Sequence, residues 1–297
     1  MGQCLLSKCM AFGRVRVMAG RHASSAFADA SVGLRPSLMT PVYAFSRVHQ
    51  LFVFLAACAG GAINSVAGGG TLLTVPTLIW LGVPALNANA TSTVALWPGS
   101  LSGAWGFRRE MLQADPRVYA LVVPSLIGGL TGAILLKRTP PGVFERLIPA
   151  LILFATLLFV VQEPLQRRFD LTALHNARSH WLSWTMLFQL IVGIYGGYFG
   201  AGIGIMMLAA LSLMGHTDIH QMNGLKNLLA VAINGIAIIY LVFTDLILWE
   251  TALLMAVGAI VGALIGAGTA RRVGQAAVRY VVVGVGLAMT VSMFLRL

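Results

Sequence analysis

The sequence has 297 residues, of which 58% are hydrophobic and only 10% are charged. Soluble domains carry about 25% charged residues, so this composition, with a mean hydropathy of +0.85, excludes a soluble globule and indicates a polytopic membrane protein. The net charge of +11 does not predict a nucleic-acid partner, because the basic residues cluster in short loops and in the first 47 residues. That distribution is typical of a protein that meets the anionic cytoplasmic face of a lipid bilayer.

Residues 1–47 form a leader that differs from the rest of the chain. Six basic residues stand there against one acid, Asp29, among scattered serines and alanines. Such a composition resembles an organellar transit peptide, and a true translation start at Met39 is the alternative. Under both interpretations the leader lies outside the fold.

Ten apolar segments follow, which predict an all-α membrane protein with about eight to ten transmembrane or half-membrane helices. The second segment, 71–82, and the seventh, 205–214, come directly after glycine clusters. Both are too short to span about 30 Å of hydrocarbon at about 1.5 Å per residue, so we expect half-helices there. A polar connecting loop at 163–180 divides the chain into transmembrane repeats at 48–162 and 181–297.

The two halves resemble each other in sequence. Residues 67–82 align without gaps on 200–215, and 124–138 align on 258–272, at offsets of 133 and 134. Internal duplication is characteristic of secondary transporters. The relative orientation of the halves stays open. The second alignment ends in a basic pair in each half, at 137–138 and 271–272, which favours parallel repeats. The loops near Arg108 and Asp245 carry opposite charges, which favours inverted repeats.

Glycine clusters interrupt both halves at matching positions. A helix that is broken in mid-membrane survives only where its backbone is buried in protein or lines a cavity, and paired breaks indicate a transporter's substrate site. Each break also directs free backbone N–H groups and a helix dipole at whatever occupies the gap, which favours an anion. The predicted site glycines are Gly68, Gly69, Gly70, Gly200, Gly202 and Gly204. Glycines spaced by four, such as Gly128 and Gly132, instead predict close helix packing.

Polar residues in the apolar segments complete the predicted site. Lys226 is flanked by Asn223 and Asn227, and its counterpart in the first half is Ser92. An ammonium inside a helical bundle costs several kcal/mol unless it meets an anion or backbone carbonyls, although a lysine near a helix end also reaches the interface by snorkelling. Asn89, Thr91 and Ser92 are expected to donate hydrogen bonds to the substrate.

The sequences GGAINSVAGGGTLLTVPTLIWLGVPALNANATSTVA and GGYFGAGIGIMMLAALSLMGHTDIHQMNGLKNLL resemble the sulfite exporter TauE/SafE family of membrane transporters. The likeness extends from Leu51 to the C-terminus. It implies transport of a small sulfur-containing anion, such as sulfite, a sulfonate or thiosulfate, across the plasma membrane (the bacterial inner membrane), coupled to protons. The second cluster departs from the family pattern, because Ala201 and Ile203 stand between its glycines.

Other functions fit the sequence less well. A membrane scaffold or assembly protein without transport activity remains the alternative, but it needs neither broken helices nor a buried lysine. An enzyme is not predicted, because the histidines fall in the leader, at segment edges or in loops, away from membrane depth. The cluster His216, Asp218 and His220 is more typical of a solvated loop than of a metal site or a proton relay. Neither a cofactor nor a metal is predicted, and the three cysteines form no CxxC pair. The oligomeric state stays open.

Overall fold

The computed structural model describes residues 46–114, 116–168, 181–213, 219–273 and 275–295. All regular structure in these ranges is helical, which confirms the predicted all-α fold. A single 3-10 turn, Pro116–Leu121, joins the fourth helix to the fifth. The α-helices are α1 (Arg47–Ala67), α2 (Thr71–Trp80), α3 (Ala85–Gly106), α4 (Arg108–Leu112), α5 (Val122–Arg138), α6 (Pro141–Arg168), α7 (Trp181–Tyr198), α8 (Ile203–Leu213), α9 (Ile219–Leu241), α10 (Trp249–Val273) and α11 (Gln275–Phe294).

The first described helix begins where the leader was predicted to end. Ser46 caps α1, since its Oγ accepts a hydrogen bond from the His49 N–H at 3.4 Å, the usual role of serine at a helix start. The leader up to residue 45 and most of the predicted loop 163–180 lie outside the described residues. The domain boundaries at those places therefore stay predictions.

Within the described ranges, four stretches are long and apolar enough to cross a membrane, judged by length and composition. They are Arg47–Ser65, Pro116–Arg138, Pro141–Val161 and Gln221–Leu241. Their outer faces carry exposed apolar side chains at helical spacing, as on α1 at Leu51, Phe52 and Leu55. Because a stripe of this kind is stable against hydrocarbon and not against water, these faces contact lipid.

The helices α2 and α8 are short, with 10 and 11 residues. At about 1.5 Å per residue they are about 15 to 17 Å long, roughly half of the hydrocarbon thickness. They are nonetheless among the most buried parts of the protein, with Leu72, Val75, Leu78, Met207 and Leu211 at 0–1% exposure. The structure thus contains the half-helices that the glycine clusters predict.

Helices of the two halves pack against each other in exchanged pairs. Helix α1, the first of the first half, packs on α10, and helix α7, the first of the second half, packs on α5. Helix α3 packs on α9. Glycines permit the close approach: a Cβ on Gly128 would stand 2.6 Å from the Leu190 carbonyl oxygen, and one on Gly258 would stand 2.8 Å from that of Phe54. The exchange packs the two halves of the chain against each other through several helix pairs.

Candidate functional site

The first helix break is built by Gly68. The residue ends α1 with φ +73°, and its N–H donates to the Asn64 carbonyl at 3.1 Å. Only glycine adopts this left-handed conformation without strain. Gly69 and Gly70 then lead directly into α2.

The second break uses two left-handed residues instead of one. Gly200 and Gly202 have φ +81° and +78° and connect α7 to α8. The asymmetry matches the sequence, in which Ala201 and Ile203 separate the glycines. Both breaks nevertheless end in the same way, with a new buried helix starting at the middle of the bundle.

The two breaks touch each other. A Cβ added to Gly68 would lie 2.9 Å from the Cα of Gly204, so the crossing leaves no room for a side chain at Gly68. Thr71, the first residue of α2, and Ile203 and Gly204, the first two residues of α8, line one common cavity. The positive ends of two helix dipoles therefore point at the same small volume.

The cavity lies between the crossed breaks and helices α3 and α9. Its volume is about 20 Å³, which leaves room for about one water-sized molecule. The lining residues come from both halves of the chain: Asn64, Gly68, Thr71, Thr93, Leu96, Ser100, Gly200, Ile203, Gly204, Lys226, Asn227, Ala230 and Asn234.

The contributions of α3 and α9 follow the same spacing. The α3 residues that line the cavity are Thr93, Leu96 and Ser100, with spacings of three and then four residues. The α9 residues, with the same spacings, are Asn227, Ala230 and Asn234. Each residue of the second set lies 134 residues after its partner in the first. This is the offset of the sequence alignment, so the two halves present equivalent helix faces to the cavity.

The two halves differ at Lys226, which is a basic residue, whereas its counterpart in the first half is Ser92. The Lys226 side chain is 1% exposed, and its Nζ has no hydrogen-bond partner. No Asp or Glu is among the lining residues. A buried charge without a partner is strongly unfavourable in a medium of low polarity, so Lys226 in its charged form requires an anion beside it.

Neutral hydrogen-bonding side chains line the same cavity as the lysine. The Nδ2 of Asn227 is buried and also has no partner, whereas the Nδ2 of Asn64 donates to the Ser100 Oγ at 2.9 Å. The Oγ1 of Thr93 donates to the Asn89 carbonyl oxygen at 2.9 Å. A positive charge, unpaired amide hydrogens and two helix N-termini around one cavity form an environment that suits a small oxyanion.

Five of the predicted site residues line this cavity. Gly68, Gly200 and Gly204 come from the helix breaks, and Lys226 and Asn227 come from α9. These residues are separated by up to 159 positions in the chain, and the crossing of the breaks brings them together.

The other predicted glycines and Asn223 lie outside the lining. A Cβ on Gly69 would overlap the Phe159 ring, and one on Gly70 would overlap the Gly60 carbonyl oxygen. Gly202 faces Ala155, at 3.5 Å from such a Cβ, and Asn223 is half-buried on α9. Gly69 and Gly70 therefore serve close packing around the break, whereas Gly202 provides the left-handed conformation of the second break.

The predicted polar residues of α3 are buried but bond elsewhere. Asn89 donates through Nδ2 to the Tyr198 carbonyl oxygen at 2.9 Å, and the Thr91 Oγ1 accepts from the Leu248 N–H at 3.0 Å. The Ser92 hydroxyl pairs with that of Thr74. These bonds tie α3 to α2, to the end of α7 and to the start of α10. Of the predicted loop cluster, His216 and Asp218 lie outside the described residues.

The cavity lining also includes polar residues that the sequence motifs did not indicate, namely Asn64, Thr71, Thr93, Ser100 and Asn234. Two signals point to them. The offset of 134 carries Ser100 onto Asn234, and Asn64 lies one helical turn before the first left-handed glycine, where its side chain follows the break.

Comparisons with known proteins agree with the resemblance seen in the residues. The family model described as "Sulfite exporter TauE/SafE" matches residues 53–293. No solved structure matches the chain at a significant level.

Curated relatives match over most of their length. A "Probable membrane transporter protein" of Haemophilus influenzae is 28% identical over 250 residues, covering 81% of this chain and 92% of the relative. The "Probable membrane transporter protein YfcA" of Escherichia coli K12 is 25% identical, covering 81% and 88%. The "Probable membrane transporter protein ORF9" of a Sinorhizobium species is 25% identical, covering 82% and 91%.

Proposed function

The chain belongs to the sulfite exporter TauE/SafE family, and from that premise we propose that it is a secondary transporter for a small sulfur-containing anion. The membrane location is part of the premise, since the family and the apolar helices make the chain a multi-pass protein of the plasma membrane. The proposed cargo is sulfite, a sulfonate, thiosulfate or a similar anion, and the proposed coupling ion is the proton. We assign it no catalytic role.

One observation carries the proposal. The Nζ of Lys226 is buried without a partner in a cavity where α2 and α8 begin. Cations and helix N-termini both stabilise negative charge, and here they converge on a volume at mid-bundle. A sulfonate or sulfite has three oxygens and accepts several hydrogen bonds at once. Lys226, Asn227 and Thr71 are the proposed side-chain donors.

The size of the cavity supports a transport cycle over static binding. A volume of about 20 Å³ holds about one water molecule and is too small for a sulfonate group. The anion therefore enters only when the crossing of Gly68 and Gly204 separates. Movement of one repeat against the other around a central site is the general mechanism of alternating access in such transporters.

The rival functions lack a comparable observation. A hydrolase built on Cys or His would find neither residue in the described cavity lining, and a cation pathway would lack acidic ligands there. A scaffold has no use for an unpaired buried lysine, which costs stability.

Uptake into proteoliposomes tests the proposal. The full chain is reconstituted and given labelled sulfite, sulfate, thiosulfate or taurine, with protein-free liposomes and the Lys226→Ala variant as controls. We expect saturable uptake of at least one sulfur-containing anion by the wild type alone. Absence of uptake for all four, with correctly inserted protein, would favour the scaffold.

A further inference from the structure

No described group of the protein compensates a positive charge on Lys226. Its Nζ is buried without a hydrogen bond to another described group, and none of the described lining residues carries a negative charge. Such a group avoids the cost of an unpaired buried charge when it releases its proton.

Four of the helices packed against α9, namely α3, α5, α7 and α8, contain no carboxylate. Helices α3 and α8 contain no titratable residue, and α7 contributes only the phenols of Tyr195 and Tyr198. The cations of α5 lie in its last turn and are exposed at Lys137 and Arg138.

The short helix α4 carries Arg108, Arg109 and Glu110, and α9 itself carries His220 and Tyr240. Of these residues, Arg108, Arg109 and Tyr240 have described side chains, and none of the three lines the cavity. Among the described residues, Lys226 is thus the ionisable group of the site.

We propose that Lys226 is the carrier of the coupling proton, and that it takes up one proton together with each monoanion. This inference rests on the transport function proposed above and adds the residue and the stoichiometry. The empty site holds a neutral amine. A proton from the aqueous phase joins the Nζ lone pair as the anion binds, and the resulting ammonium–anion pair is neutral overall.

The scheme removes a difficulty of the transport cycle. After release, an empty carrier with a charged Lys226 would have to reorient with an unpaired ammonium at membrane depth, which is costly. Loss of the proton with the anion leaves a neutral site for the return step. Because binding equilibria are reciprocal, the anion then raises the proton occupancy of Lys226 by the same factor by which the proton tightens anion binding.

Arginine separates the two roles of the residue. A guanidinium keeps its positive charge at any pH that a protein tolerates, so a Lys226→Arg site would attract an anion without exchanging a proton. Lys137→Arg is the matched control, since Lys137 is exposed in the last turn of α5 and outside the cavity.

Calorimetry on the purified full chain tests the proposal. Methanesulfonate and thiosulfate serve as probes, because neither takes up protons near neutral pH and any uptake then comes from the protein. Titration in buffers with different ionisation heats gives the number of protons bound per anion. For methanesulfonate we expect about one, with affinity falling about tenfold for each unit of rising pH once the empty site is deprotonated.

The variants and the wild type decide different points. Lys226→Arg should bind with no proton uptake and with an affinity independent of pH, while Lys137→Arg should behave as the wild type does. Wild-type binding without proton uptake would overturn the proposal and leave the anion site intact. Unchanged proton uptake in Lys226→Arg would assign the proton to another group. Failure of the wild type to bind either probe or to transport any tested anion would remove the proposed function itself.

Discussion

Gly68 and Gly204 stand so close that a Cβ on the first would lie 2.9 Å from the Cα of the second. The contact joins two helix breaks that are 136 positions apart in the chain, and it closes one side of the cavity that contains Lys226. Because the cavity is smaller than the proposed anion, we expect this crossing to open during transport. Several expectations follow from its geometry and from the charge beside it.

Gly68→Ala is expected to abolish transport. Gly68 has φ +73°, where an alanine costs about 1–2 kcal/mol, and the added methyl group also strikes the opposite break. Gly82→Ala is the matched control, since Gly82 has φ +88° but nothing within 4 Å of an added Cβ. Uptake normalised to inserted protein, with thermal stability, separates the effects. Equal activity in the two variants would show that the crossing has no functional role.

Gly69 is expected to act through packing and not through the substrate. An added Cβ overlaps the Phe159 ring, so Gly69→Ala should destabilise the protein, and Phe159→Ala should do so by about 3–5 kcal/mol. The double variant should be more stable than the sum of the two effects, because the smaller side chain makes room for the methyl group. Thermal unfolding in detergent measures the coupling, and strict additivity would contradict the contact.

Asn227→Asp should abolish anion binding while the protein remains folded. The substitution keeps the shape of the side chain but places a carboxylate in the cavity beside Lys226, where it neutralises the ammonium and repels the substrate. Asn223→Asp places the same charge on the same helix outside the lining, and it serves as the control. Binding of labelled anion to purified protein is the measurement. Wild-type affinity in Asn227→Asp would exclude an anion at this cavity.

A chain that starts at Met39 should insert and transport as the full chain does. The first described helix begins at Arg47 and is capped by Ser46, both of which the shortened chain retains. Expression in a bacterial host, followed by uptake per inserted protein, checks this expectation. Loss of folded protein on truncation would show that the leader contributes to the fold.

The helices and their breaks could be predicted because the residue types within each segment determine them. Long apolar segments without charge form helices in lipid, since the backbone must satisfy its own hydrogen bonds there, and clustered glycines interrupt them. Lys226 could be singled out because a lysine inside a helical bundle is energetically costly, so its presence there indicates a function.

The face of α3 that lines the cavity could not be predicted from residue type. Ser92 and Thr93 are both small, hydroxylated and in an uncharged segment, yet Ser92 bonds to Thr74 while Thr93 lines the cavity. A rotation of about 100° separates neighbouring residues on a helix. The hydrophobic pattern fixes that rotation poorly in α3, where small and polar residues occur on all sides. The packing of α3 on α9 determines which residues of α3 line the cavity.

The central claim is that Lys226 binds the transported anion, and the concentration dependence of uptake in proteoliposomes tests it most directly. The experiment compares the wild type, Lys226→Ala and the exposed control Lys137→Ala, each normalised to inserted protein. Loss of a charge-assisted hydrogen bond of about 1.5–3 kcal/mol predicts a roughly ten- to hundred-fold weaker apparent affinity in Lys226→Ala, with Lys137→Ala unchanged. Wild-type apparent affinity in Lys226→Ala would contradict the account.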